Sequence, residues 1–141
     1  MIDIHNKNYQ YREAVATGQI KLKAETIRRI KDGQIEKGDT LQISALAGIQ
    51  GAKLTSTIIL LCHPLFIESV NINFEISDTG IKAIAKVSSN GKTGVEMEAL
   101  SAVTISLLNI WDVVKMYEKD NEGQYPLTEI YDIKVVKKVK R

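Results

Sequence analysis

The stretch Ser69-Val70-Asn71-Ile72-Asn73-Phe74-Glu75-Ile76-Ser77-Asp78-Thr79-Gly80-Ile81-Lys82-Ala83-Ile84-Ala85-Lys86-Val87 alternates apolar and polar residues, breaks once, and alternates again. A period of two puts Val70, Ile72, Phe74 and Ile76 on one side of an extended chain, with Ser69, Asn71, Asn73 and Glu75 on the other. Ser77 to Gly80 is turn chemistry, so Ile81, Ala83, Ala85 and Val87 form the returning arm of a hairpin. A sheet with one apolar face needs an apolar layer to lie on it.

Downstream of the hairpin, Thr93 followed by Glu96 fits a capping box for a helix from Gly94 to about Tyr117. Residues 121–126 form a loop, and Ile130 to Val139 a last strand. Upstream, residues 12–22 look extended, although Gly18 interrupts the pattern. Ala24 to Asp32 forms a short amphipathic helix on Ile27 and Ile30, stopped by Gly33. Thr40 to Thr55 favours a helix whose small residues permit close packing. The order is strand, helices, strand, strand, helix, strand. It predicts an α+β fold, a ferredoxin-like antiparallel sheet with helices packed on one face. Residues 1–141 are expected to form one domain. The central helix is apolar on more than one side, while a single sheet covers only one; a second subunit is expected to cover the rest, giving a homo-oligomer.

A net charge of +2 over 141 residues does not call for a nucleic acid or membrane partner. The single cysteine, Cys62, excludes an internal disulfide and suits a reducing, cytoplasmic setting. The N-terminus lacks a signal-peptide core. The apolar run from Ala99 to Val114 is broken by five polar residues and is expected to be too short and too polar to span a bilayer.

Ionisable groups set in apolar sequence mark candidate sites. Glu96 fits the capping box, whereas Glu98 lies roughly 200° round the helix. Asp112 and Lys115, three apart among apolar neighbours, share one helical face. They form either a plain intrahelical ion pair or, desolvated by their apolar setting, a pair pushed towards neutrality and suited to proton transfer. Glu98 and Asp112 are fourteen residues apart, roughly 21 Å along the axis. If both serve one site, the start of one helix is expected to meet the end of another from a second subunit, at a subunit interface. In Leu61-Cys62-His63-Pro64-Leu65, Cys62 is either packing or nucleophile, and His63 either a core residue or a ligand contact. Metal ligation lacks ligands, His5 being the only other histidine or cysteine. No Walker or dinucleotide motif is present. Lysines from several elements could nonetheless hold a polyphosphate.

Leu61-Cys62-His63-Pro64-Leu65, Gly91-Lys92-Thr93-Gly94-Val95-Glu96-Met97-Glu98-Ala99-Leu100 and the Asp112–Lys115 pair strongly resemble the molybdenum cofactor biosynthesis protein C (MoaC) family. The resemblance extends over nearly the whole chain, including Lys37-Gly38-Asp39. It implies a cyclic pyranopterin monophosphate synthase. Such a lyase rearranges 3′,8-cyclo-dihydro-GTP from a radical GTP cyclase and expels pyrophosphate. It also implies a hexamer built as a trimer of dimers; acid–base catalysis with no cofactor and no metal is expected. By motif, Asp112, Lys115 and Lys37 match catalytic positions. Leu61, Cys62, His63, Glu96, Met97 and Glu98 match substrate-binding ones, and Arg12, Lys53 and Lys138 match basic positions near the triphosphate. The chain departs from the family pattern at Leu54 and Thr57, and its tail ends in Val139-Lys140-Arg141, which leaves Lys137 and Lys138 competing for one role. Two other readings are an RNA-binding sheet, short of exposed aromatics, and a non-catalytic subunit whose ionic pair fixes an interface.

Overall fold

The computed structural model describes residues 1–141, with four strands and four helices. Strand β1 (Gln10–Lys21) is followed by α1 (Ala24–Lys31), α2 (Thr40–Lys53) and the single turn α3 (Thr55–Ile58). The hairpin is β2 (Ser69–Ile76) and β3 (Gly80–Gly91), then come α4 (Glu96–Glu118) and β4 (Glu129–Lys140). The sheet runs β2-β3-β1-β4, and every pairing is antiparallel. This is the ferredoxin-like α+β arrangement, with the helices on one face.

The hairpin register pairs Val70 with Val87, Ile72 with Ala85, Phe74 with Ala83 and Ile76 with Ile81. The β3 partners join Ala14, Ala16 and Ile20 of β1 under α4, whose Ala99, Val103, Leu107 and Ile110 are fully buried, while β2 lies under α2, its Ile72 against Gly48. The small residues on the strands let the helix lie close. Gly18 explains its own place in a strand: a Cβ there would meet Val103 and Leu107 of α4 and Ile133 of β4 at 2.7–3.0 Å.

Three expectations need correction. Helix α2 lies along α4 and covers its second side, so most of that burial is internal and needs no second subunit. Ser106 Oγ donates to the Ser44 carbonyl across this contact (3.0 Å), and a Cβ on Gly48 would collide with Ser106, Ile72 and the Ala102 carbonyl. The Thr93–Glu96 capping box does not form; Val95 is the N-cap residue and no side chain caps the helix. Finally, α4 is 23 residues and apolar, long enough to cross a bilayer by length and composition. Its packing between sheet and α2, rather than shortness or polarity, marks it as a core helix.

Helix α2 starts from Asp39, whose carboxylate accepts the Gln42 N–H at 3.1 Å. It ends where Thr55 Oγ1 bonds back to the Gly51 and Ala52 carbonyls, at 3.1 and 2.9 Å. Strand β4 carries two bulges against β1. Gln19 faces Tyr131 but Thr17 faces Lys134, and Ala16 faces Val135 but Val15 faces Lys137. Asp132 takes the left-handed conformation at the first bulge, with φ 57°. Bulges re-aim side chains. Here they leave Lys138 beside Ala14 on the helix side and Lys137 beside Val15 on the open side.

The tight α2–α4 contact sets an expectation. Gly48→Ala should lower stability by about 1–3 kcal/mol, since overpacked cores strain side chains and backbone. Urea unfolding would show it, and an unchanged midpoint would contradict the close approach.

Candidate active site

The two ends of α4 carry two separate clusters. At the start, Glu96 pairs with Lys138 of β4. Its carboxylate folds back over Gly94, where any Cβ would collide with it. Burial pushes the Glu96 carboxyl up, but the Lys138 ammonium, its own backbone N–H and the Arg12 charge outweigh this and hold it below the usual carboxylate range. Arg12 is itself buried, its guanidinium donating to the Gly91 and Lys92 carbonyls at 3.4 Å. The bulges of β4 therefore decide between neighbours: Lys138 reaches Glu96, whereas Lys137 shares the open sheet face with Glu13 and Lys86.

A cleft of about 440 Å³ opens beside this pair, lined by Ile59, Leu61, Cys62, His63, Thr93, Gly94, Glu96 and Met97. Glu98 lies behind it, 2% exposed, with one carboxylate oxygen lacking any partner. Burial raises the Glu98 carboxyl, its own backbone N–H opposes this, and the Glu96 charge raises it further. Burial also raises the half-buried Cys62 thiol, helped by Glu98. Cys62 lines the cleft beside His63.

Near the other end, Asp112 receives both Lys37 and Lys115, each ammonium 3.0 Å from a carboxylate oxygen. Lys37 also donates to the Asp112 carbonyl at 3.0 Å. Of the two readings of this pair, the structure bears out the plain ion pair and not the desolvated one near neutrality. Asp112 is 57% exposed along its side chain. Hydrogen bonds from Lys37 and then Lys115 hold it below the usual range, while Asp112 holds Lys115 above its usual value. Both groups are fixed in their charged forms. Beside them is a largely apolar cleft of about 490 Å³ lined by Leu108, Trp111, Asp112, Lys115 and Ile130.

The chain thus gathers Leu61, Cys62, His63, Glu96, Met97, Arg12 and Lys138 at one end, backed by Glu98. It gathers Asp112, Lys115 and Lys37 at the other. Lys53 joins neither, lining a separate hollow with Leu65, Phe66 and Ile67. No three His, Cys, Asp or Glu side chains converge as a metal-binding set within this chain. Sequence reasoning missed Glu118, a fully buried carboxylate one turn beyond Lys115. It accepts from Thr26 and Thr128 hydroxyls and the Lys23 N–H, anchoring the end of α4. No motif marks it, and its partners come from segments distant in the chain. Trp111 was also passed over, although it directly precedes Asp112.

The MoaC family profile matches residues 1–140. A protein of Sulfolobus acidocaldarius is 52% identical over 140 residues, covering 99% of this chain and 98% of its own length. One from Saccharolobus solfataricus is 52% identical, covering 99% and 94%. One from Pyrococcus furiosus is 49% identical, covering 99% and 90%. Each carries the name "Probable cyclic pyranopterin monophosphate synthase".

Two titrations follow from the electrostatics. Lys37→Met or Lys115→Met should move the Asp112 carboxyl, followed by carbon NMR, up towards the ordinary aspartate range. A titration that stays put would remove the lysines as its cause. Glu98 has a raised folded value, so its contribution to stability is complete below the unfolded glutamate pKa and is lost as pH rises through the folded one. Glu98→Gln should abolish that slope and raise the neutral-pH urea midpoint; an unaltered pH profile would rule the effect out.

Proposed function

The chain belongs to the MoaC family, and from that premise we propose that it is a cyclic pyranopterin monophosphate synthase whose working site is shared by two copies of the chain. It is a lyase of molybdenum cofactor biosynthesis. Its substrate is the 3′,8-cyclised GTP made by a radical cyclase, which it rearranges with release of pyrophosphate.

The observation that carries the shared site is the separation of the two clusters on one continuous helix. Fourteen residues at 1.5 Å each put Glu98 and Asp112 roughly 21 Å apart. A second copy can bring its His63 and Glu98 end to the first copy's Asp112 end. Apolar surface flanks both: Leu60, Leu61 and Phe66 are 85%, 74% and 91% exposed, and Leu108 is 54% exposed beside Asp112. Exposed apolar patches of this kind favour association. The proposed assembly is a hexamer, a trimer of such dimers.

In this site Arg12 and Lys138, held ready by Glu96, receive the triphosphate through charge-assisted hydrogen bonds. Neutralising the departing pyrophosphate lowers the barrier to its loss. Asp112 is ionised and Lys115 protonated, so one accepts a proton as the other gives one while the guanine-derived ring opens and recloses. Lys37 fixes the orientation of Asp112 and preserves its charge.

Purified protein supplied with the cyclised nucleotide should release pyrophosphate and yield a pterin that fluoresces after oxidation. Asp112→Ala and Lys115→Ala should each lose at least about a hundredfold in turnover. Sharing of the site has its own test. Asp112→Ala and His63→Ala proteins, mixed under conditions that exchange subunits, should regain activity that neither shows alone. Exchange without recovery would put all the catalytic groups in one chain.

A further inference from the structure

The cleft beside Asp112 has one wall that the acid–base cluster does not explain. Trp111 lines it together with Leu108 and Ile130, and Asp112 and Lys115 stand at its charged rim. A concave, largely apolar surface with a few polar groups on one side suits a flat heteroaromatic ligand. The indole is half-buried. Tyr125 meets it edge to face, with ring centroids 5.1 Å apart and planes at 64°.

Tyr125 is itself placed by a closed turn. Asp120 Oδ1 accepts the N–H groups of Glu122 and Gln124, both at 2.9 Å, and the Asp120 N–H donates to the Gln124 carbonyl at 2.9 Å. Gly123 supplies the left-handed residue the turn requires, with φ 77°. The loop after α4 therefore acts as a bracket for the indole.

We propose that Trp111 is the stacking wall for the fused ring of the nucleotide, braced by Tyr125 so that the ring meets Asp112 and Lys115. The inference rests on the synthase reading above and adds a specificity-determining residue to it. The phosphate clamp recognises any polyphosphate, whereas an aromatic face selects for the base.

Trp111 is the only tryptophan in the chain, so its intrinsic fluorescence reports on this wall alone. GTP, which carries the purine without the extra ring closure, should quench it; inorganic tripolyphosphate, which offers only the charge, should not. Trp111→Leu should raise KM for the cyclised nucleotide about 10- to 100-fold, the usual scale for a lost base–aromatic stack, with a much smaller change in kcat. Trp111→Phe should recover most of that loss. Tyr125→Phe should leave KM near wild type and Tyr125→Ala should raise it, because the brace needs the ring and not the hydroxyl. Turnover with no GTP quenching and no KM effect overturns the stacking role and leaves the synthase standing. Quenching by GTP without turnover keeps the ring site and sinks the synthase. Quenching that follows protein concentration alone would mean that a second copy fills the cleft, and it overturns the proposal.

Discussion

Helix α4 is clamped between the sheet and α2, and its 23 residues run without a break. Both clamps depend on small residues: Ala83, Ala85 and Gly18 beneath it, and Gly48 and Ser106 at the crossing with α2. With Val103, Leu107, Ile110 and Val114 fully buried, the helix cannot slide or turn without losing core contacts. Every ionisable group it carries is therefore fixed in position. Glu96 and Glu98 are held at one end of the rod, and Asp112, Lys115 and the buried Glu118 towards the other.

The two ends of this rigid helix lie in two kinds of environment. One end is enclosed: Glu98 is buried with an unpartnered oxygen, and Glu96 is balanced by Lys138 and Arg12. The other is open and charged, with Asp112 between two ammonium groups. A buried carboxyl drifts towards its neutral form, and a doubly paired one keeps its charge. A single chain keeps these environments apart. In the dimer we propose, chains meeting end to end would bring the two into one crevice.

Strand β4 shows how much rests on a small irregularity. Its pattern, Ile130 to Val139, alternates too weakly to tell which side each lysine occupies. The extra residues at Asp132 and Val136 settle the matter, and Lys138 turns towards Glu96 while Lys137 joins the open face. The failed capping box has a related cause. Thr93 and Glu96 have the right spacing, but Lys138 offers the Glu96 carboxylate a full charge where the box offered one amide.

The sequence by itself determined the hairpin from Ser69 to Val87, the α+β order, the apolar central helix and, through its motif strings, the family. Those features are local: periodicity, turn chemistry and contiguous residues carry them. The tertiary structure alone decided that α2 covers the second side of α4, that Lys37 crosses from another segment to Asp112, and that both members of the Asp112–Lys115 pair stay charged in the open. It also placed Glu118 under two threonine hydroxyls and Tyr125 against Trp111. Each depends on groups distant in the chain meeting in space and on how much water remains around them, and neither property is written in the spacing of residues.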